Sequence, residues 1–158
     1  MPSRKKNVFI SHHGKDDSSV SDLKNLLASK GYELRNSSID STKPNNASNE
    51  QYIKNEILKP GVDWAGTVIV LIGDKTHTRD YVDWEIKYAQ KEGKRVVGIY
   101  IRGCTDAELP ESFKYYGDAL IGWNSDKIID AIEGKDNSWS NPDSSCYQNP
   151  HKPVRGIC

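Results

Sequence analysis

Glu85 stands where a single carboxylate can do chemistry. It belongs to the stretch Thr76-His77-Thr78-Arg79-Asp80-Tyr81-Val82-Asp83-Trp84-Glu85-Ile86-Lys87-Tyr88-Ala89. Drawn as a helix, Val82, Ile86 and Ala89 form one apolar stripe, and Glu85 lies about 60° from its centre, on the flank shared with Tyr81 and Tyr88. A carboxylate half turned into the protein and bordered by rings can stabilise an oxocarbenium-like centre or orient sugar hydroxyls. Two-carboxylate hydrolysis needs a second acid, and Asp83 points about 160° around the helix. The remaining chemistry suits a substrate whose leaving group departs without a proton. The structural alternative is a helix-face glutamate paired with Arg79 or Lys87.

That helix needs a scaffold. Thr67 to Gly73 (TVIVLIG) is the strongest strand signal, apolar throughout and so buried on both faces. Thr78 is the expected N-cap of the helix after it, Asp80 suits its first turn, and Lys91 to Lys94 closes it. Upstream, Asn7 to Ser11 reads as strand one and His12-His13-Gly14-Lys15-Asp16-Asp17 as a polar turn. Ser19 with Asp22 resembles a capping box ahead of Leu23, Leu26 and Leu27, and Gly31 is the stop. Tyr32 to Arg35 is a weaker second strand. Residues 36–48 form a long polar loop, either a lid or merely disordered. Ser48 with Gln51 opens a further helix through Ile53 and Ile57 that Pro60-Gly61 ends. Arg95 to Ile101 is strand four, Pro110 to Tyr116 holds one helical turn, and Ala119 to Trp123 is strand five. Ser125 caps a final helix with Ile128, Ile129 and Ile132 inside. Residues 1–134 are expected to form one domain, and 135–158 an irregular tail, ordered only if Trp139 or Tyr147 docks.

The alternation of strand and helix predicts an α/β fold, a five-stranded parallel sheet with helices on both faces. The flavodoxin-like order 2-1-3-4-5 has its switch point between strands one and three, and ligands bind beyond the carboxyl ends of the strands there. Topology therefore gathers Ser11, His12, the 36–48 loop and Glu85 around one crevice.

Composition narrows the function. The chain has 158 residues with 22 basic and 22 acidic side chains. Such balance argues against nucleic-acid binding, which needs clustered cations; Arg4-Lys5-Lys6 reads as a solvated end. No apolar run approaches the ~18 residues that span a bilayer, and no signal peptide is visible. The three cysteines, Cys104, Cys146 and Cys158, have no CxxC spacing, so a reduced, cytoplasmic, metal-free protein is expected. A Cys146–Cys158 bridge has little support. The phosphate-cradling motifs GxGxxG and GxxxxGK[ST] are absent, as is GxSxG. A phosphoacceptor would need paired acids after strand one, where His12-His13 stand instead. Among substrates whose leaving group needs no proton is NAD, because nicotinamide departs neutral from a cationic glycoside.

Val8-Phe9-Ile10-Ser11-His12, Val70-Leu71-Ile72-Gly73, Thr78-Arg79-Asp80-Tyr81-Val82-Asp83-Trp84-Glu85-Ile86 and Val96-Val97-Gly98-Ile99-Tyr100 occur in that order. In these four motifs the chain resembles the TIR-like proteins of bacterial Thoeris anti-phage systems, over about residues 5–133. The resemblance implies a flavodoxin-like TIR fold that cleaves NAD, without a further cofactor, and releases nicotinamide. It implies an ADP-ribose-derived signal, often cyclic, made in response to a phage trigger and activating a separate effector protein. It also implies self-association when active. By position Glu85 matches the catalytic glutamate. Ser11 and His12 match the loop bordering the NAD pocket, Tyr81 an aromatic before the glutamate, and Asn36, Ser37 and Ser38 a loop approaching the ribose. Each has a plainer alternative: Ser11 satisfying a strand end, His12 a turn residue bonded to backbone, Tyr81 packing. Trp84 faces away from the apolar stripe, which suggests an association surface, while Trp64 and Trp123 read as core or rim. Two other functions stay open, a non-catalytic TIR interaction module and a sensor that holds NAD without cleaving it.

Overall fold

Among the described residues five short strands alternate with five helical segments, and the central strands deliver their side chains to two covered faces. The computed structural model describes residues 4–12, 17–36, 59–74, 76, 80–104, 108–142 and 145. Within them lie β1 (Arg4–Ser11), α1 (Asp17–Ala28), β2 (Tyr32–Asn36), α2 (Lys59–Trp64) and β3 (Thr67–Ile72). Then come α3 (Asp80–Lys91), β4 (Arg95–Tyr100), α4 (Glu111–Tyr116), β5 (Ala119–Ile121) and α5 (Ser125–Ile132). The sheet order is β2-β1-β3-β4-β5, every pairing parallel, as the alternation predicts.

Period-2 alternation sorts the core into two layers. Phe9, Val68, Val70, Ile72, Val96 and Tyr100 face α2, α3 and α4, meeting Val62, Val82, Ile86, Ala89 and Phe113. Val8, Ile10, Ile69, Leu71, Val97 and Ile99 face α1 and α5, meeting Leu23, Leu27, Ile128, Ile129 and Ile132. Each such aliphatic side chain, fully buried, contributes about 1.5–3 kcal/mol. Gly98 leaves room in β4 for the Phe113 ring: a Cβ there would stand 2.5 Å from Phe113 Cζ. Gly31 and Gly93, both at φ near +70°, turn the chain after α1 and α3 as expected.

Four local expectations are corrected. β1 starts at Arg4, because Arg4, Lys5 and Lys6 pair with Tyr32, Glu33 and Leu34; ladder bonding to β2 overrides the basic composition. α1 extends back to Asp17, placing Ser19 inside the helix, since Asp17, Ser18 and Ser19 suit a first turn equally well. Pro60 and Gly61 lie within α2, which ends at Trp64; burial of Val62 offsets the roughly 1 kcal/mol helix penalty of Gly61. The cap of α5 is Asn124, whose side chain accepts from the Lys127 amide at 3.1 Å; Ser125 is the first helical residue. Asn124→Ala should therefore cost about 1 kcal/mol, read as a lower midpoint in urea.

Beyond α5 the chain returns to the sheet. Arg95 donates to the carbonyls of Ala131 (2.6 Å) and Asp136 (3.1 Å), joining the carboxyl end of the helix to the segment after it. Leu120 and Trp139 then form a parallel bridge, and the Trp139 indole packs on Phe113 with ring centres 5.0 Å apart. Trp139 thus docks on the domain, while Tyr147, Cys146 and Cys158 lie outside the described residues, as do Ile53 and Ile57. Trp64 is exposed and Trp123 half-buried at the rim.

Candidate active site

The carboxyl end of β1 and the second turn of α3 meet over the sheet. Ser11 shares the parity of Phe9, so it projects toward the face that α3 covers. Its hydroxyl donates to Glu85 Oε1 at 2.9 Å. Glu85 is 4% exposed and Ser11 1%. The flank position read from helical phase is thus a buried one, roofed by β1. A hydroxyl bonded to a carboxylate in a site of low dielectric fixes the orientation of that carboxylate more firmly than water would.

His12, also buried, follows directly. Its Nδ1 lies 3.1 Å from the Ile10 carbonyl. A carbonyl only accepts, so Nδ1 carries the proton, and in the neutral ring Nε2 keeps its lone pair. Tyr81 is half-buried against the core beneath α3. Asn36 ends β2 opposite Val8 in register. The Asn36 side chain, Ser37 and Ser38 lie outside the described residues, as do Thr78 and Arg79. Ser11, His12 and Glu85 are therefore brought together at the carboxyl edge of β1, with Tyr81 one turn before the glutamate.

Two devices that sequence reading missed position α3. Fully buried Thr76 accepts from the Gly73 amide (2.8 Å) and donates to the Leu71 carbonyl (3.0 Å), closing the turn after β3. Its signal was a hydroxyl residue shortly after Gly73-Asp74, a common turn staple. Asp83, on the opposite side of the helix from Glu85, accepts from the Ser112 amide at 2.8 Å and pairs with Lys87 at 3.1 Å. Lys87 is thus engaged with Asp83 rather than with Glu85, which corrects the Lys87 half of the structural alternative. On the outer side Tyr88 donates to Asp63 (2.7 Å), and Trp84 stacks on Tyr88 with centres 5.3 Å apart. The expectation of an outward-facing Trp84 is corrected: a parallel stack one turn along covers part of the indole.

Partial burial pushes the Asp83 carboxyl up, but the Ser112 bonds and the Lys87 ammonium outweigh it and leave the pKa below the ordinary value of 3.8. A depressed folded pKa means the contribution is full above the unfolded value and is lost as pH falls through the folded one. Asp83→Asn should therefore flatten the fall of thermal midpoint with acidification below about pH 4. Parallel acid melts of the two proteins check this; identical slopes would refute it.

Among the described residues no three His, Cys, Asp or Glu side chains gather as a metal site, and no helix is long and apolar enough to cross a membrane. Cys104 is half-buried and packs against the core on the α3 side of the sheet.

A family model described as the TIR-like domain of the Thoeris protein ThsB matches residues 9–106. The chain belongs to this Thoeris TIR-like family. The matched span holds Ser11, His12, Tyr81 and Glu85, so the site lies wholly within the Thoeris TIR-like domain. Its fold is also that of the TIR domain of the Toll-related receptor TRR-2 from Hydra magnipapillata. That likeness has a TM-score of 0.51 at 15% identity, covering 80% of this chain and 92% of that one. A conserved protein from Enterococcus faecalis V583 is similar to the same degree, with a TM-score of 0.51 at 12% identity and coverage of 83% and 99%. At such identities the likeness is one of fold. No curated protein matches this Thoeris TIR-like chain.

Proposed function

We propose that this Thoeris TIR-like protein cleaves NAD at the nicotinamide glycosidic bond. The observation that carries the reading is the buried Glu85 carboxylate held by the Ser11 hydroxyl at the carboxyl edge of β1. In this reading Glu85 engages the nicotinamide ribose. The C1′–N bond breaks, its electron pair leaves with neutral nicotinamide, and the carboxylate stabilises the ribosyl cation that remains. Burial makes that stabilisation stronger than it would be in water. Capture of the cation by water yields ADP-ribose and a proton; capture by a nucleophile of the same molecule yields a cyclic product.

Family membership supports a signalling role for the product. The ADP-ribose-derived nucleotide would act in the cytoplasm on a separate effector protein after a phage-derived trigger, with the chain self-associated when active and no cofactor beyond its substrate. Asn36 at the end of β2, with Ser37 and Ser38 following it, would approach the ribose, and Tyr81 and His12 would border the pocket.

A second reading, a non-catalytic TIR module that assembles a signalling complex, draws on Tyr115 and Tyr116. These neighbours on α4 are 46% and 37% exposed. The test is nicotinamide release from NAD by purified protein and by lysate of phage-infected cells expressing it, with Glu85→Gln in parallel. Release that depends on Glu85 supports the enzyme, and mass spectrometry of the product names the signal. NAD binding without release leaves a sensor. Neither binding nor release in either setting, with folding intact, leaves the module.

A further inference from the structure

The opposite end of the sheet holds a cleft that the NAD reading does not use. It has a volume of about 500 Å³ and opens where β1, β3 and β4 begin. Lys5, Lys6, Arg35 and Lys94 line it, together with Trp64 and Gly66, and no carboxylate does. The chain as a whole is neutral, with 22 cations and 22 anions, so four cations around one hollow are a local excess whose mutual repulsion the fold must bear.

The side chains are disposed to receive an anion. Among the described residues, Lys6 and Arg35 enter no ion pair. Lys5 meets Glu33 only at 3.9 Å, with both side chains more than half exposed, a contact that water and salt screen. Lys94 spends one of its three donors on the Asp63 carbonyl at 3.1 Å, and that bond holds the ammonium at the rim. Gly66 lies beside the Lys6 ammonium, which would stand 3.9 Å from a Cβ at that position, an ordinary contact distance. Beside these cations Trp64 is 46% exposed, the largest apolar side chain left uncovered among the described residues. An indole face next to clustered cations is the pairing that takes a base by stacking and its phosphates by charge.

We propose that this cleft binds a phosphorylated mononucleotide, with the phosphates on Lys6, Arg35 and Lys94 and the base on Trp64. The volume lies within the range of small-molecule pockets, and an open hollow of that size holds one nucleotide rather than the length of a strand. Lys6 stands five residues before Ser11 on β1, roughly 16 Å of extended chain. The two sites are therefore separate, and the proposal stands whether or not Glu85 cleaves NAD.

The test is titration of the full chain with ATP, without magnesium, followed by calorimetry and by tryptophan fluorescence at low and moderate salt. One equivalent should bind and quench fluorescence, and the affinity should fall steeply with salt. Lys6→Ala/Arg35→Ala should weaken binding at least 10-fold with an unchanged circular dichroism spectrum. Trp64→Phe should remove the quench. Because four tryptophans contribute, that last variant assigns the signal. Absence of ATP binding at millimolar concentration would overturn the proposal, as would unweakened binding in the double variant. Inorganic triphosphate binding as tightly as ATP would overturn the role of the base. Tighter binding of a single-stranded oligonucleotide would replace the mononucleotide by nucleic acid.

Discussion

Glu85→Gln should cut nicotinamide release from NAD about 100- to 1,000-fold, the usual cost of removing one preorganised electrostatic contact to a transition state. The substitution keeps the volume, and the Ser11 hydroxyl can still donate to the amide oxygen, so the pocket keeps its shape. Only the charge is lost. Ser11→Ala makes the complementary change, leaving the charge and deleting the group that orients it. It should cost about 10-fold, the worth of one hydrogen bond to an ion. Initial rates of nicotinamide formation across the three proteins check the ordering. Equal rates in wild type and Glu85→Gln would sink the role assigned to the carboxylate.

Phe113→Ala should lower stability by about 3–5 kcal/mol, a large share of the ~5–15 kcal/mol that a domain commands. The ring is fully buried, touches Trp139, and fills the space that Gly98 and Gly117 leave open. Gly98→Ala should act on the same space from the other side. Its new methyl would stand 2.5 Å from the ring and 2.9 Å from Leu120 Cδ1, for a loss of about 1–3 kcal/mol. The two changes should not add. In Phe113→Leu the Gly98→Ala penalty should shrink, because the atom it strikes is gone. Denaturant melts of the single and double variants measure the coupling, and strict additivity would refute it.

The parts of this architecture legible in advance were those written in local periodicity. Two wholly apolar runs could only be strands buried on both faces, and that dictated a parallel sheet with helices above and below. The phase of Val82, Ile86 and Ala89 put Glu85 on an inward flank, and strand order brought Ser11 to it; the 2.9 Å bond joins residues 74 positions apart. What escaped depended on partners distant in sequence. Nothing about Asp83 alone announces that the Ser112 amide will come to it from α4. Lys5 and Lys6 look like a solvated end until β2 supplies a ladder. At Asn124-Ser125 both residues are good caps, and only backbone geometry separates them. Trp84 was misjudged for a different reason: helical phase gives the direction of a Cβ, and an indole can lean from there onto a neighbouring ring.

The return of the chain to β5 has a consequence for how the protein behaves in a crowded solution. The Leu120 amide bonds the Ser138 carbonyl at 2.9 Å, and the Ser140 amide bonds the Leu120 carbonyl at 2.8 Å. Those contacts occupy the outward hydrogen-bonding groups of a three-residue strand that would otherwise offer a template to any passing extended segment. At the far side of the sheet, β2 carries Glu33 and Arg35, charges that discourage a flat, apolar strand from adding there. The segment after α5 is thus a guard against strand addition. A chain shortened to end at Gly134 would lose it, and would be expected to self-associate through β5 in light scattering at concentrations where the full chain does not.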